Sequence, residues 1–449
     1  MLNKEECKKA VCAAIDARKD EIIAFGEDIF AHPELAYRET RTSQKVSDKL
    51  SEMGLEHEKG IAITGIKARM KGAQSRVTVG IMGELDAVIC RDHPDADPET
   101  GAAHCCGHNA QIASMLGAAM GLADSGAMAF LGGDVALLAV PAEEGSDPGH
   151  LSKLMQEGKI KLAGGKQQFI VEGALDGVDM AMMVHTGPMS PAIMEGAVTG
   201  KEFKMGVGGG HIGSLRKRAK FIGKEAHPGI APHEGINALN AANLALMAIN
   251  ANRETFRDED MVRVHAFITK GGLPSVVPAD IQVEIFIRSK RVEALVDAAR
   301  KVDRSLKAGA LAVGAEVEIE TMAGYLPRIT EPTLDEAFLK NSEALVGKGA
   351  VGIQRHVAGC TDMGDISHLM PAVHQRAGGV EGRIHEADYR IADKELAYVM
   401  PAKAMAMTVI DLLWDDAALA VEIKEKYKPV YTKETYIRAW QEILGSYSS

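Results

Sequence analysis

Val77-Thr78-Val79-Gly80-Ile81-Met82-Gly83-Glu84-Leu85 is an apolar, β-branched run that stops at Asp86. A run this short and this apolar suits a strand buried on both faces. Two more runs share the pattern. Val135–Val140 leads into Pro141-Ala142-Glu143-Glu144, and Met180–Val184 leads into His185. Between the first two, Asn109–Leu122 places Ile112, Met115, Leu116 and Ala119 at helical spacing. Alternating strand and helix predicts an α/β fold: a mixed sheet with parallel parts and helices on both faces.

Residues 214–325 have a different rhythm. Strands are expected at Leu215–Gly223, Met261–Lys270, Ile281–Arg288 and Glu316–Met322, with helices at Gly235–Phe256 and Val292–Ala312. The order β-α-β-β-α-β is the split βαβ (ferredoxin-like) arrangement. The simplest architecture is therefore a discontinuous larger domain, 1–212 plus 329–449, interrupted by a smaller domain at 213–328. Gly208-Gly209-Gly210-His211-Ile212-Gly213 has the letters of a dinucleotide-binding turn. The stretch Leu215–Phe221 after it alternates like a strand and opens no helix, so the glycine run reads as a flexible hinge.

Composition narrows the function classes. The net charge is −11, which argues against binding a phosphate backbone. Six cysteines in 449 residues are too sparse for a disulfide scaffold and suit a reducing, cytoplasmic setting. The N-terminus lacks the basic and apolar regions of a signal peptide. The most apolar stretch, Ile112–Val140, is interrupted by Asp124 and Asp134, so no membrane span is expected.

Ligands of open α/β sheets bind beyond the carboxyl ends of the strands. Asp86, the Glu143–Glu144 pair and His185 each stand at such an end, and Cys106-Gly107-His108-Asn109 opens the helix after the first strand. Thiolate and imidazole are good ligands for Zn²⁺ and related ions, and a helix N-terminus favours the thiolate. Two adjacent carboxylates after an apolar strand are either a surface pair or a divided pair, one ligating a metal and one acting as general base.

Several motifs occur together and in order: His32-Pro33-Glu34-Leu35, Glu84-Leu85-Asp86-Ala87, Cys106-Gly107-His108-Asn109, Pro141-Ala142-Glu143-Glu144-Gly145, Ala226-His227-Pro228, Thr361-Asp362-Met363-Gly364-Asp365 and a late His385. In this the chain resembles the M20 metallopeptidases, in their amidohydrolase branch, over nearly its whole length. The resemblance implies two divalent ions (Zn²⁺, Mn²⁺, Co²⁺ or Ni²⁺). Cys106 would bridge them, His108 and His185 would complete one shell, and Glu144 and His385 the other. It further implies that Glu143 is the general base and that His227 reaches from the smaller domain of a partner subunit to an oxyanion. Asp86 and Asn109 would support the ligands from behind. Arg288 and Ser275 would meet substrate, and the smaller domain would serve as lid and homodimer interface. The substrate expected is a small N-acyl amino acid or dipeptide-like amide. Two positions depart from the family pattern: Asn109 stands where many relatives have Asp, and Ser275 stands where an Asn is usual. The rival readings are a non-catalytic metal- or amino-acid-binding protein on the same scaffold, and thiol chemistry at Cys105–Cys106.

Overall fold

A computed structural model describes residues 3–190, 194–195 and 203–445. The chain forms two compact units. The larger comprises Met1–Gly210, Ile329–Val357 and Asp365–Val430, and the smaller His211–Arg328, Ala358–Gly364 and Tyr431–Ser449. Their main strands, in chain order, are β1 (His57–Ile61), β2 (Gly65–Met70), β3 (Thr78–Glu84), β4 (Asp134–Val140), β5 (Met180–Thr186), β6 (Met194–Glu195), β7 (Met205–Val207), β8 (Gly213–Ile222), β9 (Arg263–Lys270), β10 (Asp280–Ser289), β11 (Glu316–Ala323), β12 (Val351–Gln354) and β13 (Ala372–Ala377).

The larger unit is built on a nine-stranded mixed sheet in the order β1-β2-β4-β3-β5-β13-β7-β12-β6. At its centre, β4, β3, β5 and β13 run parallel, while β2 on β4 and β7 on β13 are antiparallel. Every residue of β3, β4 and β5 is buried, as expected for apolar runs covered on both faces. The covering helices lie on opposite sides. A Cβ on Gly83 would touch Ile112 of the helix His108–Asp124. Val140, which pairs with the next residue Glu84, instead meets Gly165 of the helix Gly165–Glu172. Because β4, β3 and β5 are parallel neighbours, their carboxyl ends open onto one edge.

The longest apolar element is not Ile112–Val140. Glu395–Lys426 is long and apolar enough to cross a bilayer, and 83% of its most apolar window is buried within the protein. It packs against the helices Lys4–Ala17 and His108–Asp124, so core packing accounts for its apolarity. Non-helical backbone at Trp414–Ala417 breaks its course.

In the smaller unit, β8, β10, β9 and β11 form an antiparallel sheet in the order β9-β10-β8-β11. Helices Ala238–Ala251 and Val292–Val313 come after β8 and β10 in sequence and pack against these strands. The C-terminal helix Lys433–Gly445 also belongs to this unit and buries Tyr436 and Trp440. Their four-residue spacing sets them on one face of the helix. Gly208 and Gly209 have φ of +79° and +71° and lead straight from β7 towards β8 with no intervening helix.

Within the sheet–helix core of the smaller unit, Lys217 is fully buried and its Nζ lies 2.8 Å from Asp303 and 2.8 Å from Thr321 Oγ1. Burial pushes the Lys217 pKa down and the Asp303 pKa up, so each ion depends on the other. Lys217→Met should strand the Asp303 carboxylate and cost about 3–5 kcal/mol, and adding Asp303→Leu should recover much of it. Urea unfolding followed by Trp440 fluorescence in a Trp414→Phe background measures both.

Candidate metal centre

Cys106-Gly107-His108 turns sharply because only glycine fits its centre. Gly107 has φ +92°, and a Cβ there would lie 2.4 Å from the Thr186 carbonyl and 2.6 Å from the Tyr389 hydroxyl. The turn holds Cys106 against the end of β5, where Sγ is 3.4 Å from His185 Nε2. His108 starts its helix and is fully buried. Its Nδ1 lies 2.8 Å from the Asp86 carbonyl oxygen. A carbonyl only accepts, so Nδ1 carries a proton, and in the neutral ring Nε2 is left with the lone pair that can ligate.

The loop after β4 turns through two left-handed residues, Ala142 at φ +53° and Gly145 at +57°. Gly165 permits this course: a Cβ there would fall 1.7 Å from the Pro141 carbonyl. Between the two left-handed residues stand Glu143 and Glu144. The Glu144 amide donates to Asp86 Oδ2 at 2.9 Å, and its carboxylate is 3.0 Å from His385 Nε2. From His108 Nε2, Glu144 is 3.8 Å away and Glu143 4.0 Å. His385, at φ +67°, is held by its amide on the Cys105 carbonyl.

Two donor triads emerge, Cys106–His108–His185 and Cys106–Glu144–His385, each with ligand atoms within 4.8 Å of one another. Cys106 belongs to both. A third group, Glu84–His108–Glu143, overlaps them. The donor set fits divalent ions. His108 Nε2 is buried with no hydrogen-bond partner. Burial first, then Arg376 and His108, push His185 down to about 3, which keeps it in the neutral form that ligates. Burial and then Glu144 push the Cys106 thiol well up, so its thiolate needs a cation beside it. Burial alone would raise the Glu144 pKa, but His385 holds it below its usual value.

Asp86 is fully buried between the Glu144 amide and His108, whose Nδ1 is 3.3 Å from its Oδ1. Asn109 is also buried, and its amide donates to the Gly26 carbonyl and the Tyr398 hydroxyl, tying the helix to its neighbours. The other three candidates lie on the smaller unit. His227 is exposed, and its Nδ1 accepts the amides of Gly229 and Ile230, which leaves the proton on Nε2. The Arg288 guanidinium stacks 4.2 Å over the Phe286 ring. Ser275 is exposed in the β9–β10 loop.

Sequence reasoning missed four groups around the centre. Glu84 was legible, as an acid two residues before Asp86 at the end of a buried strand. Lys166, Arg376 and Glu39 carried no local signal. Lys166 is fully buried and ion-paired with Glu84, and Arg376 stands beside His185 in the β5–β13 register. Glu39 accepts from the Ala142 amide and the Thr64 hydroxyl beneath the carboxylate loop.

The sequence pattern of Peptidase family M20/M25/M40 matches residues 80–407. The chain belongs to that family. It is accordingly a hydrolase of the M20 type. The Xaa-Arg dipeptidase of Mus musculus is 27% identical over 442 residues, covering 94% of this chain and 92% of its own. The N-acyl-L-amino acid amidohydrolase of Geobacillus stearothermophilus is 25% identical over 335 residues, 73% of this chain and 82% of its own. In fold, this M20 chain is similar to the Bacillus subtilis YXEP protein, described as a dinuclear metal-binding peptidase. The TM-score is 0.65 at 22% identity, over 89% of this chain and 99% of that one.

Glu39 offers a test of the loop's electrostatics. Burial, then Asp86, raise its pKa from the usual 4.5 to about 8. The folded protein therefore keeps a proton that the unfolded chain releases near 4.5. The resulting stability is full below about pH 4.5 and is lost as pH rises through about 8. Glu39→Gln should remove this dependence, making the chelator-treated variant more stable than wild type above pH 8 by on the order of a few kcal/mol. Denaturant midpoints at pH 5 and 8.5 decide it.

Proposed function

We propose that this chain is a two-metal amidohydrolase cleaving the amide bond of a small N-acyl amino acid or dipeptide-like substrate that bears a free carboxylate. The observation that carries the reading is Cys106, shared by two donor triads that are buried or half-buried except for the exposed His385. In it, Cys106 would serve both ions, His108 and His185 would help hold one, and Glu144 and His385 the other. An Xaa-Arg dipeptidase and an N-acyl-L-amino acid amidohydrolase are among its relatives, and their names support this substrate class. Bound divalent ions supply an acidified water and polarise the scissile carbonyl.

The chain's own residues do the rest. Glu143, with its carboxylate 4.0 Å from His108 Nε2, takes the proton of the attacking water and returns it to the leaving nitrogen. Asp86 fixes the His108 tautomer and the Glu144 backbone. The His227 Nε2–H donates to the developing oxyanion. Arg288 pairs with the substrate carboxylate, and Ser275 lines the same approach. The smaller unit acts as lid and homodimer interface. Among the described residues its edge strand β9 is paired on one side only, and Phe267, Ile268 and Leu273 are 52%, 37% and 70% exposed along it and its loop. In that dimer, His227 acts on the partner's centre.

The adjacent glutamates give opposite expectations. Glu143→Gln should lose about 10²–10⁴ in turnover with metal content retained, whereas Glu144→Gln should lose metal. N-acyl amino acids, dipeptides and p-aminobenzoyl-glutamate, assayed with each of Zn²⁺, Mn²⁺, Co²⁺ and Ni²⁺, provide the activity. Full turnover in metal-bound Glu143→Gln sinks the mechanism. The trans role of His227 has its own test. Mixing inactive His227→Ala and Glu143→Gln proteins should restore part of the activity through hybrid dimers, and no recovery after proven subunit exchange counts against it.

A further inference from the structure

Glu84 ends β3 and is 1% exposed, yet it is a carboxylate beside an imidazole rather than a core residue. One of its oxygens is ion-paired with Lys166, itself fully buried. The other, Oε2, accepts from Gln111 Nε2 at 2.8 Å and lies 3.0 Å from His108 Nε2. Since Nδ1 of His108 carries its proton towards the Asp86 carbonyl, Nε2 of the neutral ring points a lone pair at an anionic oxygen. Two lone pairs facing each other in a dry site repel. Something positive belongs between or beside them. A second ring proton would serve, but it would disqualify His108 as a ligand. A shared metal ion serves without that loss.

The spacing agrees. For bonds of about 2.0–2.1 Å, two ligands of one ion are about 2.9 Å apart at a right angle and about 3.3 Å at the tetrahedral angle. The observed 3.0 Å falls in that range. Accepting one hydrogen bond from Gln111 leaves Oε2 a further lone pair.

We propose that Glu84 is a sixth protein donor, bound to the ion that His108 holds, and that Lys166 is a fixed counter-charge allowing this additional buried carboxylate to remain in the site. The proposal rests on the two-metal reading. It adds a carboxylate oxygen to a shell otherwise made of sulfur and nitrogen, and so moves that ion from a four-coordinate towards a higher-coordinate geometry. Lys166 then does what no ligand does: it stays in place with or without metal and offsets part of the anionic charge that the apo protein must bury.

The test uses Co²⁺ added to chelator-treated full-length protein, with wild type, Cys106→Ala, Glu84→Gln and Lys166→Met compared. Wild type should take up two ions and Cys106→Ala fewer. In Glu84→Gln, one ion should weaken by at least about 10-fold, the lower end of an outer-sphere loss. The visible Co²⁺ band of that ion should gain intensity, because fewer donors surround it. An affinity loss with an unchanged spectrum would make Glu84 a mere support and overturn the proposal. So would unchanged affinity. Should Glu84→Gln fail to fold, Lys166→Met decides: its melting temperature should rise more on Co²⁺ addition than wild type's, because the ion becomes the sole cation for Glu84. An equal rise counts against the proposal. If wild type binds no pair of ions, or Cys106→Ala keeps both, the two-metal reading itself falls, a result distinct from failure at Glu84 alone.

Discussion

Three parallel strands packed side by side bring a set of buried charges to one sheet edge, and those charges are stable only in each other's company. Glu84, Asp86, Cys106, His108 and Glu144 stand where water is largely excluded. An uncompensated ion in such a place costs several kcal/mol. The edge therefore organises everything around it: Lys166 against Glu84, His385 against Glu144, and backbone groups of Asp86 and Glu144 oriented to the histidine and the aspartate. The donor atoms that lack hydrogen-bond partners, His108 Nε2 foremost, mark where the compensation is left for a ligand.

Two positions of strained backbone lie at the same edge. Ala142 and His385 both hold left-handed backbone without being glycine. Each such residue costs of order 1 kcal/mol or more and survives only where its surroundings dictate it. Here the surroundings are specific: Glu39 grips the Ala142 amide, Gly165 leaves room for Pro141, and the Cys105 carbonyl holds the His385 amide. The consequence is functional. The two adjacent glutamates are presented from a turn rather than a strand, so both reach the centre instead of pointing to opposite faces.

The smaller unit solves a different problem. Its helices cover one face of a four-stranded sheet, and a buried Lys217–Asp303 pair lies in that interface. The groups that chemistry could use, His227 and Ser275, are exposed on its loops, and Arg288 is poised over Phe286. Rigid elements carrying reactive groups on loops are a common division of labour in enzymes.

The sequence alone determined the elements and most of the donors. Short apolar runs ending in Asp86, Glu143–Glu144 and His185 are readable because burial on both faces suppresses polar residues until the strand stops. Cys106-Gly107-His108 is readable because a glycine between two ligand types at a helix mouth has little other use. The grouping of donors around Cys106 was available only through the family resemblance of the motifs. That Glu84 faces His108, and that Lys166 arrives as its counter-ion, were decided only by the tertiary structure. Lys166 lies 82 positions from Glu84, and His385 lies 241 from Glu144. Contacts over such distances depend on the strand order β4-β3-β5 and on loop courses set by packing. No local periodicity encodes these. The C-terminal helix shows the same limit. Tyr436 and Trp440 stand four residues apart, but only the folded chain says that their face is buried and belongs to the smaller unit.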